Sequence, residues 1–360
     1  NNNDLKLLKE KIMRPNFRVF IKKPTILNDS ELEIFEYTEE QLAELDFLDE
    51  GEKTLVTGSQ GTGKSSIAEE ILRRELSKDT KKILFLNSNK GACEDMQFRL
   101  SKMSQKNISY FTFYKFINDI VKNYDKTLLN NLPNMNFFEK HQFLIKNSIN
   151  FLAKDKNEIK TKFVYDFIVF DEMQNCYFYD KFYDLMELVL KDGLIDGKYC
   201  FLGDFKYQTL TSEPQTIEIN KHPKNYLIGY DSIRLTKNVR NAKKISTNAP
   251  ILSGLFNKFP YQISKSKNGD VFHSFSKTTE EKIQKLESIL KDLKRDGVKG
   301  YDIVILSNYK LENRNNFISN VNISKYYQHI IDLTDNNIRN LNENLKELKK
   351  VNSIYFSTVN

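Results

Sequence analysis

At 360 residues the chain is too long for one ordinary domain, and 39% hydrophobic content with 12% aromatics is enough to fill the cores of two. Its formal charge of +7, from 55 basic and 48 acidic side chains, suits a nucleic-acid partner without requiring one. Cys93, Cys176 and Cys200 are too few and too far apart for a disulfide scaffold or a zinc site, and the four histidines have no metal-ligand spacing.

Residues 1–36 read as an irregular leader with one strand candidate, FRVFI. From Glu39 the helix pattern EEQLAELDFL leads into the strand TLV (54–56). GSQGTGKS (58–65) follows, then a helix carrying Ile67, Ile71, Leu72 and Leu76 at helical spacing. The strand ILFL (83–86) precedes a helix-like stretch to Leu100. After FTFYKF (111–116) the polar stretch 117–162 reads as a helical insertion that ends before the strand FIVF (167–170). Another helix pattern leads to YCFL (199–202). Short buried strands alternating with helices predict an α/β fold, a parallel sheet with helices on both faces.

After Ile245 the pattern restarts. A helix with Ile283, Leu286, Ile289, Leu290 and Leu293 on one face precedes the strand YDIVIL (301–306), a further helix and the strand SIYF (353–356). The expected division is a leader over 1–36, a first α/β domain over 37–245 and a partial second one over 246–360. No apolar run approaches the ~18 residues of a membrane span and no signal-peptide pattern opens the chain. A soluble protein of the reducing cytoplasm, with no membrane partner, is therefore expected. The opening NNNDLK lacks Met and the closing IYFSTVN has no polar cap, so both ends are expected to be cut.

Two stretches carry chemistry. GSQGTGKS fits G-x-x-x-x-G-K-[ST] between a strand and a helix. Gly58, Gly61 and Gly63 let the backbone curl so that successive N–H groups face a phosphate chain. Lys64 supplies a cation for the β- and γ-phosphates, and Ser65 offers a hydroxyl to Mg²⁺. The candidate nucleotide-binding set also takes in Ser59, Gln60, Thr62 and Ser66. In FIVFDEMQ (167–174) a buried strand delivers Asp171 to its carboxyl end as a Mg²⁺ ligand, and Glu172 is placed to take a proton from the attacking water.

The order of further motifs is similar to that of a known family. Asp171, Glu172 and Gln174 form D-E-x-Q; YTEEQ (37–41) lies upstream, and NKGACEDM (89–96) and FTFYKF lie between. FLGDFKYQ (201–208) and LTKNVRNAKKI (235–245) follow. Together they resemble the UvrD/Rep-like branch of superfamily 1 helicases, closest in style to members fused to nuclease-related domains. The resemblance implies RecA-like P-loop domains, ATP and Mg²⁺. Gln41 would read the adenine, Gln208 would sense the γ-phosphate, and Arg240 would stabilise charge on the transferring phosphoryl group. Lys64, Glu172, Gln174, Gln208 and Arg240 thus form the expected catalytic set, with Ser65 and Asp171 on the metal.

The sequence also departs from the family. Val239 replaces a tyrosine that stacks on adenine, TLT (209–211) replaces an aromatic that packs on a base, and LNSN (86–89) is a reduced T-F-T-N. The hydrolytic set is intact while the strand-tracking set is eroded. Thr358 and Asn360 would open a further motif, and the chain by itself is expected to hydrolyse ATP poorly.

Asn89, Lys90, Thr112, Phe113 and Tyr114 are the candidate nucleic-acid contacts. The cluster Tyr110, Phe111, Phe113, Tyr114 and Phe116 would either stack on bases or, as alternating aromatics on a strand, pack inward. Lys90 and Lys115 either touch phosphates or lie on a solvated surface. The implied partner is single-stranded DNA, with RNA also open and a nuclease domain or subunit as a further partner. The implied function is an ATP-driven helicase or translocase in repair, restriction or phage defence. The alternative is an ATP-gated module that regulates a nuclease without translocating.

Overall fold

The computed structural model describes residues 53–78, 82–154, 158–205, 222–236, 238, 240–241, 244–245, 247–248, 271–333 and 352–358. The leader, the helix pattern from Glu39, Gln41, Gln208, residues 209–211, Val239 and Asn360 lie outside them. The described residues fall into two compact units, one within Glu31–Gly269 and one within Asp270–Asn360.

In the first unit six strands form one sheet in the order β3-β2-β4-β5-β1-β6. They are β1 (Thr54–Gly58), β2 (Ile83–Asn87), β3 (Ile108–Thr112), β4 (Phe167–Phe170), β5 (Lys198–Gly203) and β6 (Asp231–Leu235). Every neighbouring pair is parallel, so all carboxyl ends share one edge. Successive strand residues point to opposite faces and fill two cores. Leu84, Leu86, Ile168 and Phe170 lie in one; Ile83, Phe85, Phe167 and Val169 lie in the other. A strand buried on both faces must be apolar throughout, which is why ILFL and FIVF are legible.

Helices cover both faces. The α1 (Lys64–Leu76) and α2 (Lys90–Arg99) helices bring Ile67, Leu72, Cys93 and Met96 to the second core. The α3 (Phe113–Tyr124), α4 (Phe137–Lys154) and α6 (Phe182–Val189) helices pack on the first. Between α4 and α6 lies the short α5 (Glu158–Phe163), and α7 (Gly193–Asp196) is a single turn before β5. The stretch expected as a helical insertion is helical, and Ile117, Ile120, Val121, Leu144, Ile145 and Leu152 make it the layer over one sheet face.

Some expectations need correction. FTFYKF is a strand only over Phe111 and Thr112: β3 ends at Thr112 and α3 begins at Phe113. The buried residues Phe113, Phe116, Ile117, Ile120 and Val121 follow the three-and-four spacing of a helix face. The sequence reading passed over β6, because the edge strand DSIRL buries only Ile233 and Leu235.

In the second unit β7 (Val304–Ser307), β8 (Ile330–Asp332) and β9 (Ile354–Thr358) form a parallel sheet in the order β7-β9-β8. The helix α8 (Thr279–Arg295) presents Leu290 to a core with Val321, Ile323, Tyr327 and Ile354. The strand YDIVIL opens instead with a 3-10 turn over Gly300–Asp302. Among the described residues between β7 and β9 there are 3-10 turns and β8, and no α-helix. No helix among the described residues is long and apolar enough to cross a membrane.

Candidate active site

The site is built where β1, β4, β5 and β6 reach the shared edge. Beyond β1 the chain turns through Gly61 (φ 80°) and Gly63 (φ 89°), both in the left-handed region that glycine enters without strain. Gly58 must stay bare, since a Cβ there would lie 2.5 Å from Thr62 Oγ1. Lys64 is buried, and its Nζ donates to the Gly58 carbonyl (2.9 Å) and the Ser59 carbonyl (3.1 Å). The amine is thus held against its own loop. Ser59 Oγ is buried without a hydrogen-bond partner among the described residues. The 13-residue helix α1 has no side-chain cap at Gly63, which leaves N–H groups of its first turn open to an anion. A buried cation, an orphaned hydroxyl and an uncapped helix start fit a phosphate chain.

Ser65 Oγ donates to Asp171 Oδ2 at 2.8 Å, joining the start of α1 to the end of β4. Asp171 is 2% exposed, and its carboxyl is pushed up to about 6, first by burial and then by the charge of Glu172. The Ser65 hydrogen bond and Lys64 pull in the other direction. A cation at Ser65 and Asp171 would supply the missing countercharge. No cluster of three or more His, Cys, Asp or Glu ligands occurs among the described residues. One carboxylate and one hydroxyl suit Mg²⁺, which keeps most of its waters and takes phosphate oxygens as ligands.

Glu172 follows in a left-handed conformation (φ 58°, ψ 36°) that non-glycine residues rarely adopt. Its N–H donates to Asp171 Oδ1 at 3.0 Å, and Gln174 Nε2 donates to Glu172 Oε2. The other end of the Gln174 amide, Oε1, accepts from the Asp204 N–H at 3.1 Å. Gln174 therefore joins the acid pair to the end of β5. Gly203 leaves room for it, because a Cβ there would lie 2.7 Å from Gln174 Oε1.

Arg240 is exposed, and its backbone N–H donates to the Gly61 carbonyl at 3.2 Å. Two residues that sequence reasoning left without a role also meet here. Asn238 is buried and donates to the Gln60 carbonyl at 3.0 Å. Asn87, fully buried at the end of β2, lies 3.5 Å from Asp171 Oδ2 and accepts from the Asn89 N–H at 2.8 Å. Asn238 stands in the matched LTKNVRNAKKI stretch without an assigned role, and Asn87 is one asparagine at a strand end, too common to single out.

The nucleic-acid candidates divide. Asn89 caps α2, accepting from the Gly91 N–H (2.7 Å) and the Ala92 N–H (3.3 Å), and Lys90 beside it is 71% exposed. Thr112 caps α3 through the Lys115 N–H at 3.2 Å. Tyr114 is half-buried, its ring 5.1 Å from His141. Phe113 is corrected: it is 1% exposed, with its ring packed on Phe170 and Phe182, and has no face to offer a base. Gln41 and Gln208 lie outside the described residues.

Among solved structures the chain is similar to the Pif1 helicase from Candida albicans, at 15% identity and TM-score 0.34, covering 75% of this chain and 54% of that one. It is also similar to the Pif1 helicase from Bacteroides in complex with ADP-AlF3 and ssDNA, at 13% identity and TM-score 0.32, covering 70% and 56%. The chain thus spans about half the length of these structures, 54% and 56%. No curated protein matches its sequence. The family model for the UvrD/REP helicase N-terminal domain matches residues 37–352, which takes in the phosphate loop, the acid pair and the Asn238–Arg240 stretch. The chain belongs to the UvrD/REP helicase family.

Proposed function

We propose that the protein binds and hydrolyses Mg-ATP at the β1–β4–β5 edge to drive movement along single-stranded DNA. The observation that carries this reading is the hydrogen-bonded line from Ser65 through Asp171 and Glu172 to Gln174 and Asp204. It supports reading these residues as a metal-binding pair, a base and a link to the next strand end.

Each group has a task in this reading. Lys64 exchanges its two loop carbonyls for β- and γ-phosphate oxygens, and the α1 N-terminus donates to the same chain. Ser65 and Asp171 would hold Mg²⁺, which would supply charge that polarises the phosphate oxygens. Gln174 holds Glu172 Oε2, which leaves Oε1 to accept the proton of the attacking water. Arg240, anchored at its backbone to Gly61, brings a cation to the transferring group. The strand is gripped beyond the carboxyl ends of β2 and β3, where Asn89, Lys90 and Thr112 stand. Asn175 Nδ2 donates to Ser88 Oγ at 2.8 Å, tying the loop after β2 to the 3-10 turn after the acid pair.

The test is the ATPase rate with and without oligo(dT), over a range of salt. DNA is expected to raise the rate at least about tenfold, with the gain lost as salt rises. A rate indifferent to DNA would overturn the motor and favour the ATP-gated regulatory module. The burial of Phe113 already removes one strand-stacking candidate in that direction.

A further inference from the structure

β1 and β6 lie side by side, with Gly58 in register with Leu235, so two segments leave the sheet together. One becomes the phosphate loop and the other runs through Asn238 to Asn241. Asn238 is 1% exposed although Thr236 and Arg240 on either side are exposed. A buried amide is costly unless its donors and acceptor are used, and here both ends are used. Nδ2 donates to the Gln60 carbonyl (3.0 Å), while Oδ1 accepts from the Arg240 N–H (3.1 Å) and the Asn241 N–H (2.8 Å). The Arg240 N–H is shared with the Gly61 carbonyl at 3.2 Å.

The fit is tight. A Cβ on Gly61 would lie 2.7 Å from Asn238 Nδ2 and 2.8 Å from its Oδ1. Gly61 therefore serves the loop twice, through its left-handed backbone (φ 80°) and by letting Asn238 lie against it. Only an amide serves both arms. An aspartate keeps the acceptor toward residues 240 and 241 but sets an oxygen against the Gln60 carbonyl, and an alanine keeps neither arm.

We propose that Asn238 is a positioning residue: it pins the backbone of Arg240 to the phosphate loop, so that the guanidinium meets the terminal phosphate from within the same unit. This rests on the nucleotide reading above. It predicts that Asn238 matters to the nucleotide that has a third phosphate and much less to the one that lacks it.

The experiment titrates Mg-ADP and Mg-AMP-PNP into wild type, Asn238→Ala, Asn238→Asp, Arg240→Ala and the Asn238→Ala/Arg240→Ala pair. Asn238→Ala is expected to weaken AMP-PNP about tenfold and ADP less than about threefold, the scale of one or two hydrogen bonds. In the Arg240→Ala background it should cost no further AMP-PNP affinity, because the arginine it positions is gone. Asn238→Asp, which severs the arm to the Gln60 carbonyl, should likewise weaken AMP-PNP more than ADP. Equal losses for both nucleotides in Asn238→Ala, or losses that multiply in the double variant, overturn the proposal. If Asn238→Ala does not fold, Asn238→Asp decides: a selective loss of AMP-PNP supports the proposal and equal losses overturn it. A wild type that binds neither nucleotide overturns the nucleotide reading and this inference with it. A wild type that binds both, with multiplying losses, sinks this inference alone.

Discussion

A glutamate with φ 58° carries backbone strain of order 1–3 kcal/mol, which persists only where the surroundings dictate it. At Glu172 they do: its N–H is held by Asp171 Oδ1, and its carboxylate by the Gln174 amide. The turn sets the Glu172 carboxylate against the Gln174 amide. Gln174 joins Glu172 to the end of β5, which in the proposed reading is a coupling role. Gln174→Ala is expected to leave ATP affinity within about threefold while abolishing DNA stimulation of the ATPase, since one hydrogen bond at each end is lost. Gly203→Ala should reproduce that uncoupling, because the added Cβ meets Gln174 Oε1 at 2.7 Å. Binding and stimulation lost in equal measure would refute the coupling role. D-E-x-Q was legible as a string, whereas the left-handed turn at Glu172 and the Asp204 partner were not.

The helix α3 shows how an element misleads. Aromatics at 111, 113 and 116 interrupted by threonine and lysine look like strand alternation, yet Thr112 is a cap and the apolar face runs on to Val121. Tertiary burial of that face outweighs the local β propensity of the first residues. Stability and strand binding should therefore separate by position. Thr112→Ala is expected to cost ~1 kcal/mol as a lost cap, and Phe113→Ala about 3–5 kcal/mol as a core truncation. Lys90→Ala, on an exposed side chain, should stay within about 0.5 kcal/mol. Urea unfolding measures all three. Oligo(dT) binding should fall for Lys90→Ala, and Phe113→Ala should bind normally wherever it remains folded. A folded Phe113→Ala that loses the strand would restore the stacking role denied here.

Burial is expected to give His141 of the first unit a pH dependence opposite in sign to that of Asp171. His141 on α4 stacks on Tyr179 (4.7 Å, 4°) beyond the acid pair and lies 6.4 Å from Phe113 of α3. Burial holds its pKa below the usual 6.5, with a hydrogen bond from Nδ1 to the Phe137 carbonyl (2.8 Å) acting against that shift. The unfolded chain therefore takes up a proton first as pH falls through about 6.5, so unfolding is favoured. The contribution of His141 to stability is full above that pH and declines below it until the folded ring is itself protonated. The melting temperature of wild type should accordingly fall more between pH 7.5 and 5.5 than that of His141→Phe. Parallel pH profiles for the two would show that the ring stays neutral in neither state or in both.

What the sequence determined by itself is local and contiguous. GSQGTGKS is a short string that its own spacing reveals, and DEMQ was legible through the motif order of the family it resembles. The α/β class was legible because a parallel strand buried on both faces has to be apolar along its whole length. What the tertiary structure decided is which distant residues meet. Ser65 and Asp171 are 106 positions apart, and Asn238 and Gln60 are 178 apart. They touch because the parallel order β4-β5-β1-β6 brings the carboxyl ends of these strands to one edge. Strand order is set by the packing of whole sheet faces, and no short string of residues encodes it.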